Sequence, residues 1–148
     1  MAIVAEVHCG DRETAGSLLD TALRRFPGMV LFDSARAILA AVRRDERAVR
    51  RAIESTEKRR KEFAHFHHAQ FDVACALATL GFGDEAMRWL GDAVRGGFPC
   101  LPAVENEPLL ESLRGHSEYG SVIAELRRTR DHFAGVFESL RANLNSSS

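Results

Sequence analysis

Residues 69–99, AQFDVACALATLGFGDEAMRWLGDAVRGGFP, constrain the fold of this chain more than any other stretch. Phe71, Val73, Ala74, Leu77 and Leu80 recur at three- and four-residue steps, the period of one face of an α-helix. After Gly81-Phe82-Gly83-Asp84 the period resumes with Ala86, Met87, Leu90, Ala93 and Val94. The spacing predicts two amphipathic helices joined by a tight turn. Small residues (Ala74 and Ala78 in the first helix, Ala86 and Ala93 in the second) stand where two helices must approach closely, and large ones fill the spaces between them.

Position by position this hairpin resembles a tetratricopeptide repeat. That family has a small residue midway along its first helix (Ala74), then a large apolar one (Leu77). A turn glycine (Gly81) and an acidic pair before a small residue (Asp84, Glu85, Ala86) follow. A large residue (Leu90), a small one (Ala93) and an exit proline (Pro99) complete the pattern, the proline about one place late. The resemblance implies an all-α, antiparallel helical-hairpin solenoid that serves as a protein-interaction module and not as an enzyme.

Such folds announce themselves by internal repetition. Gly10-Asp11-Arg12-Glu13-Thr14-Ala15 aligns with Gly81-Phe82-Gly83-Asp84-Glu85-Ala86, 71 residues later, and Leu19, Ala22 and Pro27 occupy the later positions. Two family periods of about 34 residues fit that interval, so a third unit is expected between them. Ala35, Ile38, Leu39 and Val42 supply its first helix. Asp45 caps a second helix that carries Ala48, Val49, Ala52 and Ile53. This middle copy lacks the turn glycine. The units expected are therefore 1–28, 29–58 and 62–98. The first is entered partway through a helix, with Ile3, Val4 and Val7 needing a neighbour, as in a fragment of a longer protein.

Beyond Ala93, the turn-rich Gly96-Gly97-Phe98-Pro99-Cys100-Leu101-Pro102 must stop the helix. The run 97–119 resembles the closing segment of bacterial tetratricopeptide domains, some of them appended to kinases and cyclases, which implies a cap over 99–115. Pro108 opens a short helix within it. A long helix is expected over 117–144 with Ser117 as its cap, and 145–148 as a disordered tail. Along this helix Tyr119, Ile123, Leu126, Arg130, Phe133, Phe137, Leu140 and Leu144 alternate four- and three-residue steps, the seam of a helix packed along another. Either the seam folds back on the body, or Ile123, Leu126, Phe133, Phe137 and Leu140 form a dimer or partner interface.

The whole chain carries a net charge of −1, which gives no bias toward nucleic acid or anionic lipid. No apolar run approaches the ~20 residues that span a bilayer. Three cysteines without disulfide or zinc spacing point to a reducing, cytoplasmic setting.

Three clusters compete for function. The resemblance implies that His68, Phe71, Asp72, Cys75 and Thr79 line a concave groove holding a peptide or helix of a partner protein. A polar strip on an apolar helix must meet water, a partner or a hydrogen bond. Asp72, where groove-lining members often carry Asn, would favour a cationic or hydrogen-donating ligand.

The same segment, His65, His67, His68, Asp72 and Cys75, is the one place a metal-dependent or redox enzyme could start. However, one helix supplies at most about two ligands to tetrahedral zinc, so no metal or cofactor is expected. Residues 43–61 hold nine Lys or Arg and four acids, with Arg43, Arg47, Arg50 and Arg51 on one stripe. Interleaved acids and absent aromatics read as a solvated helix face or a patch for an acidic protein, in preference to nucleic acid.

Two catalytic look-alikes dissolve. Gly81 to Ala86 matches a dinucleotide fingerprint but follows a helix, not a strand. Around Ser117 the second glycine is one place too far for a nucleophile elbow. Trp89 is expected in the core or between repeats.

Overall fold

The computed structural model describes residues 2–146, all-helical and without a strand among them. The α-helices are α1 (Ala2–His8), α2 (Arg12–Arg25), α3 (Val30–Val42), α4 (Glu46–Lys58), α5 (Phe66–Leu80), α6 (Gly83–Arg95), α7 (Leu101–Asn106) and α8 (Tyr119–Ser146). Single 3₁₀ segments lie at Arg60–Glu62 and Pro108–Leu113. Consecutive helices pair as α1 with α2, α3 with α4 and α5 with α6. Helix α3 also packs against α5 and α1, and α5 against the second 3₁₀ segment.

One turn geometry closes all three pairs. After α1, α3 and α5 a residue adopts the left-handed conformation: Gly10 (φ 84°), Arg44 (φ 60°) and Gly81 (φ 89°). In each case its N–H donates to the carbonyl three residues back. The next N–H donates five back: Asp11 to Glu6, Asp45 to Ala40, and Phe82 to Leu77. These paired bonds satisfy carbonyls that a helix end leaves open. Asp11 then caps α2 by accepting from the Thr14 N–H, and Asp45 caps α4 from Ala48, both at 2.9 Å.

Glycine is the ordinary occupant of such a position because a Cβ strains it. The middle unit uses Arg44 there instead. Its guanidinium reaches across to donate to the Thr79 carbonyl at 2.7 Å, in the last turn of α5. The Ser112 hydroxyl donates to the neighbouring Ala78 carbonyl at 3.1 Å, so α5 ends with its carbonyls met from two directions.

A continuous apolar core runs from Val7 on α1 to Leu126 on α8. The small residues expected at close crossings, Ala74, Ala78, Ala86 and Ala93, are all buried, with Leu77, Met87 and Leu90 between them. Val4 packs against this core; the side chain of Ile3 lies outside the described residues. A second, smaller cluster joins Val30, Phe66 and Ala69, and half-buried Trp89 touches both clusters.

The C-terminal third departs from expectation in several places. Residues 99–115 contain α7, opened by Pro102 in its first turn, ahead of the short helix that Pro108 opens, which is a 3₁₀ segment. Ser117 does not cap α8. The helix starts at Tyr119, and the group that organises its entry is His116, whose Nδ1 accepts from the Glu118 N–H at 3.2 Å. The other ring nitrogen, Nε2, donates to Asp84 at 3.0 Å, so a neutral imidazole with one hydrogen meets both partners. Helix α8 continues through Asn145 and Ser146, positions expected in a disordered tail; residues 147–148 lie outside the described residues.

Candidate functional site

Of the five groove candidates on α5, His68 is exposed, and the other four are wholly or partly buried. Phe71 stacks on Phe98, with ring centroids 4.6 Å apart and planes 8° from parallel. His68 meets the edge of Phe98 at 5.5 Å. Next to it, His67 donates from Nδ1 to the Gly96 carbonyl at 3.1 Å. Thr79 turns its hydroxyl back to the Cys75 carbonyl at 2.8 Å. Cys75 itself is buried.

The cover comes from the segment 98–107. Its first residue, Phe98, lies on Phe71. Its last, Glu107, pairs with His8 of α1 at 3.3 Å and caps the following 3₁₀ segment by accepting from the Leu109 N–H. Between these ends Leu101 and Val104 are buried. The segment therefore ties α5 to α1, on either side of α3. The sequence signal for it is slight: a Gly97-Phe98-Pro99 turn followed by two apolar residues one helical turn apart.

Asp72 faces Ser34 of α3 and lies within electrostatic reach of Glu107. Although the residue keeps some exposed surface, its carboxyl is enclosed, and burial raises its pKa to about 7. Ser34 works against that shift by donating to Asp72 Oδ2 at 2.7 Å, while Glu107 adds to it. The Ser34 hydroxyl has one hydrogen and a second acceptor, the Leu31 carbonyl at 3.1 Å. A protonated Asp72 could donate to Ser34, which would then serve Leu31. Near neutral pH the carboxyl is thus poised between two hydrogen-bonding arrangements.

Burial also pushes the Cys75 thiol well above its ordinary range, with Glu107 and Asp72 adding to the effect. A thiol so placed presents no thiolate at neutral pH. Burial, together with neighbouring His67 and His65, lowers the pKa of His68. No group of three or more His, Cys, Asp or Glu among the described residues is arranged to hold a metal ion.

Half of the basic stripe is tied into the fold. Arg43 donates to the Arg12 carbonyl at 2.9 Å. Arg50 contacts both carboxylate oxygens of Glu85 at 2.6 Å and lies over the Phe82 ring at 4.6 Å. This joins α4 to the start of α6. Arg47 and Arg51 remain at the exposed surface.

The long helix divides in two. Ile123 and Leu126 are buried against α6 and α7, and Tyr119 donates its hydroxyl to the Val104 carbonyl at 3.0 Å. These residues belong to the body, so Ile123 and Leu126 cannot serve the dimer seam in which they were placed. From 127 to 142 every residue is exposed. Phe133, Val136, Phe137 and Leu140 are 64%, 42%, 67% and 58% exposed. Of the large exposed apolar side chains outside α8, Leu18, Phe26 and Met29 lie well away in the chain and none exceeds 47% exposure.

No helix among the described residues is long and apolar enough to cross a membrane. No protein-family model, curated protein or solved structure matches this chain. Its class therefore rests on the geometry alone: an all-helical body and an exposed apolar face on its last helix.

Proposed function

We propose that this chain is a protein–protein interaction module built from helical hairpins in the manner of tetratricopeptide repeats, and that it works through the apolar stripe of α8. The observation that carries the reading is the exposure of Phe133, Val136, Phe137 and Leu140 on one helix face. Contiguous apolar surface of that kind marks an interaction site, and aromatic anchors supply most of the energy at such sites. The hairpin-repeat reading is supported by the shared turn geometry, whose left-handed residues stand 34 and 37 residues apart. That spacing is close to the family period of about 34. Exposed free Cys9 and Cys100 suit the reducing, cytoplasmic setting proposed with it.

A second surface is favoured by one specific observation. Phe98 occupies Phe71 as a ligand side chain would, so the groove of His68, Phe71, Asp72, Cys75 and Thr79 would admit a partner peptide in place of the chain's own segment 98–107. Affinity capture separates the two surfaces by comparing the parent chain with a Phe133→Glu, Phe137→Glu variant and a His68→Ala, Asp72→Arg variant. Loss of a captured protein with the first variant alone supports the α8 surface. Loss with the second alone transfers the function to the groove. Retention by both would contradict the reading.

A further inference from the structure

We propose that the occupant of the α8 stripe is a second copy of this chain, with the two projecting helices side by side and antiparallel. The inference rests on the stripe being the working surface and names what covers it.

The projecting part needs a partner for its own stability. Residues 127–142 are all exposed, and isolated helices of roughly this length are marginal in water. Their heptad positions place Phe133, Phe137 and Leu140 on one line, with Val136 beside it, the arrangement that stabilises a helix when another lies along it.

Charge favours a copy over a foreign helix. Arg127 is paired with Glu105 at 2.7 Å, and Arg130 with Asp131 at 2.7 Å, so the rim of the stripe offers no strong field of one sign. Glu138 and Arg141 flank the stripe with opposite charges. They stand three residues apart, where an intrahelical pair is possible, yet neither makes an ion pair among the described residues. An antiparallel pairing centred between Phe137 and Leu140 sets Phe137 of one copy against Leu140 of the other. It brings Glu138 beside the opposite Arg141, and the twofold axis makes that contact twice.

A parallel pairing would instead stack Arg130 on its own equivalent at a seam position. It would also crowd both bodies at one end and align the helix dipoles unfavourably. The exposed parts of the four apolar side chains offer roughly 400 Å² per copy, taking side chains of about 150–250 Å². The roughly 800 Å² per pair lies below the ~1,200 Å² at which stable interfaces begin. The dimer is therefore reversible, with dissociation in the micromolar range.

Sedimentation equilibrium on the full chain, over about two decades of micromolar concentration, tests this. The parent chain is expected to pass from monomer to dimer, and Phe137→Glu to remain monomeric with the helix content, by circular dichroism, of the dilute parent chain. Glu138→Arg and Arg141→Glu each set like charges together twice and are expected to weaken dimerisation about tenfold. The double exchange restores it, a rescue that no foreign-partner model produces. A parent chain monomeric throughout, or a dimer indifferent to Phe137→Glu, overturns the second copy as occupant. Single exchanges without effect, or a double exchange without rescue, overturn the antiparallel pairing. If the parent chain is monomeric but Phe133→Glu, Phe137→Glu still abolishes partner capture, the stripe keeps its function and only the second copy falls. If neither dimerisation nor capture responds to the stripe, both readings fall together.

Discussion

The two halves of α8 carry the same pattern and meet opposite fates. Tyr119, Ile123 and Leu126 follow the same four- and three-residue alternation as Phe133, Phe137 and Leu140. The first set is anchored in the body: Leu126 is 1% exposed, and Tyr119 bonds the end of α7. The second set has no helix of the body beside it. Periodicity tells which side chains share a face and says nothing about what covers that face. The body fills the space beside residues 119–126 with α6 and α7, which come no farther, and the change falls at Arg127, which ion-pairs with Glu105 near the end of α7.

Truncations in the two halves should separate them most clearly. Leu126→Ala removes a fully enclosed side chain and is expected to cost about 3–5 kcal/mol in denaturant unfolding. A loss below about 1 kcal/mol would mean that the first half is not truly part of the core.

A pH effect comes next, and it belongs to the body alone. Asp72 has a folded-state pKa of about 7, above an unfolded value of about 3.9. Its contribution is therefore intact below about pH 4. It is lost as pH rises toward 7, because the unfolded chain releases the proton first. The loss amounts to about 2–4 kcal/mol, at 1.36 kcal/mol per unit. Asp72→Asn can still accept from Ser34 and should recover this stability at pH 8 while changing little at pH 4. Stability curves at the two pH values check it, and equal effects at both would exclude an enclosed, neutral carboxyl.

The turn between α5 and α6 gives a smaller effect. Gly81→Ala places a Cβ at φ 89° and is expected to cost about 1 kcal/mol in thermal unfolding. Arg44→Gly at the equivalent turn relieves similar strain but loses the bond to the Thr79 carbonyl, and the two effects should nearly cancel. Smallest of all is Phe137→Ala, expected to change the stability of the dilute monomer by less than about 0.5 kcal/mol. That near-zero result, beside the large loss at Leu126, is the energetic signature of the divided helix.

Much of the body was legible because its determinants are local. The apolar period of α5 and α6, the left-handed Gly81 and the Asp45 cap each follow from a few neighbouring residues, and the structure contains them all. Arg44 was hidden because the residue that tolerates the left-handed turn is held there by a carbonyl 35 residues away in sequence. The cover over Phe71 was hidden for the same reason. Phe98 and Glu107 look ordinary in sequence and acquire their roles when 98–107 is brought against α5 and α1. The role of His116 was hidden because its partner, Asp84, lies 32 residues earlier. Arg43 and Arg50 read as surface charge, since their partners, the Arg12 carbonyl and Glu85, are equally distant.

Amide hydrogen exchange on the parent chain, followed peptide by peptide at two protein concentrations a hundredfold apart, tests the divided helix most directly. The account predicts that protection over 119–126 is high and independent of concentration, while protection over 130–142 is low when dilute and rises when concentrated. Concentration-independent protection over 130–142, high or low, would contradict it.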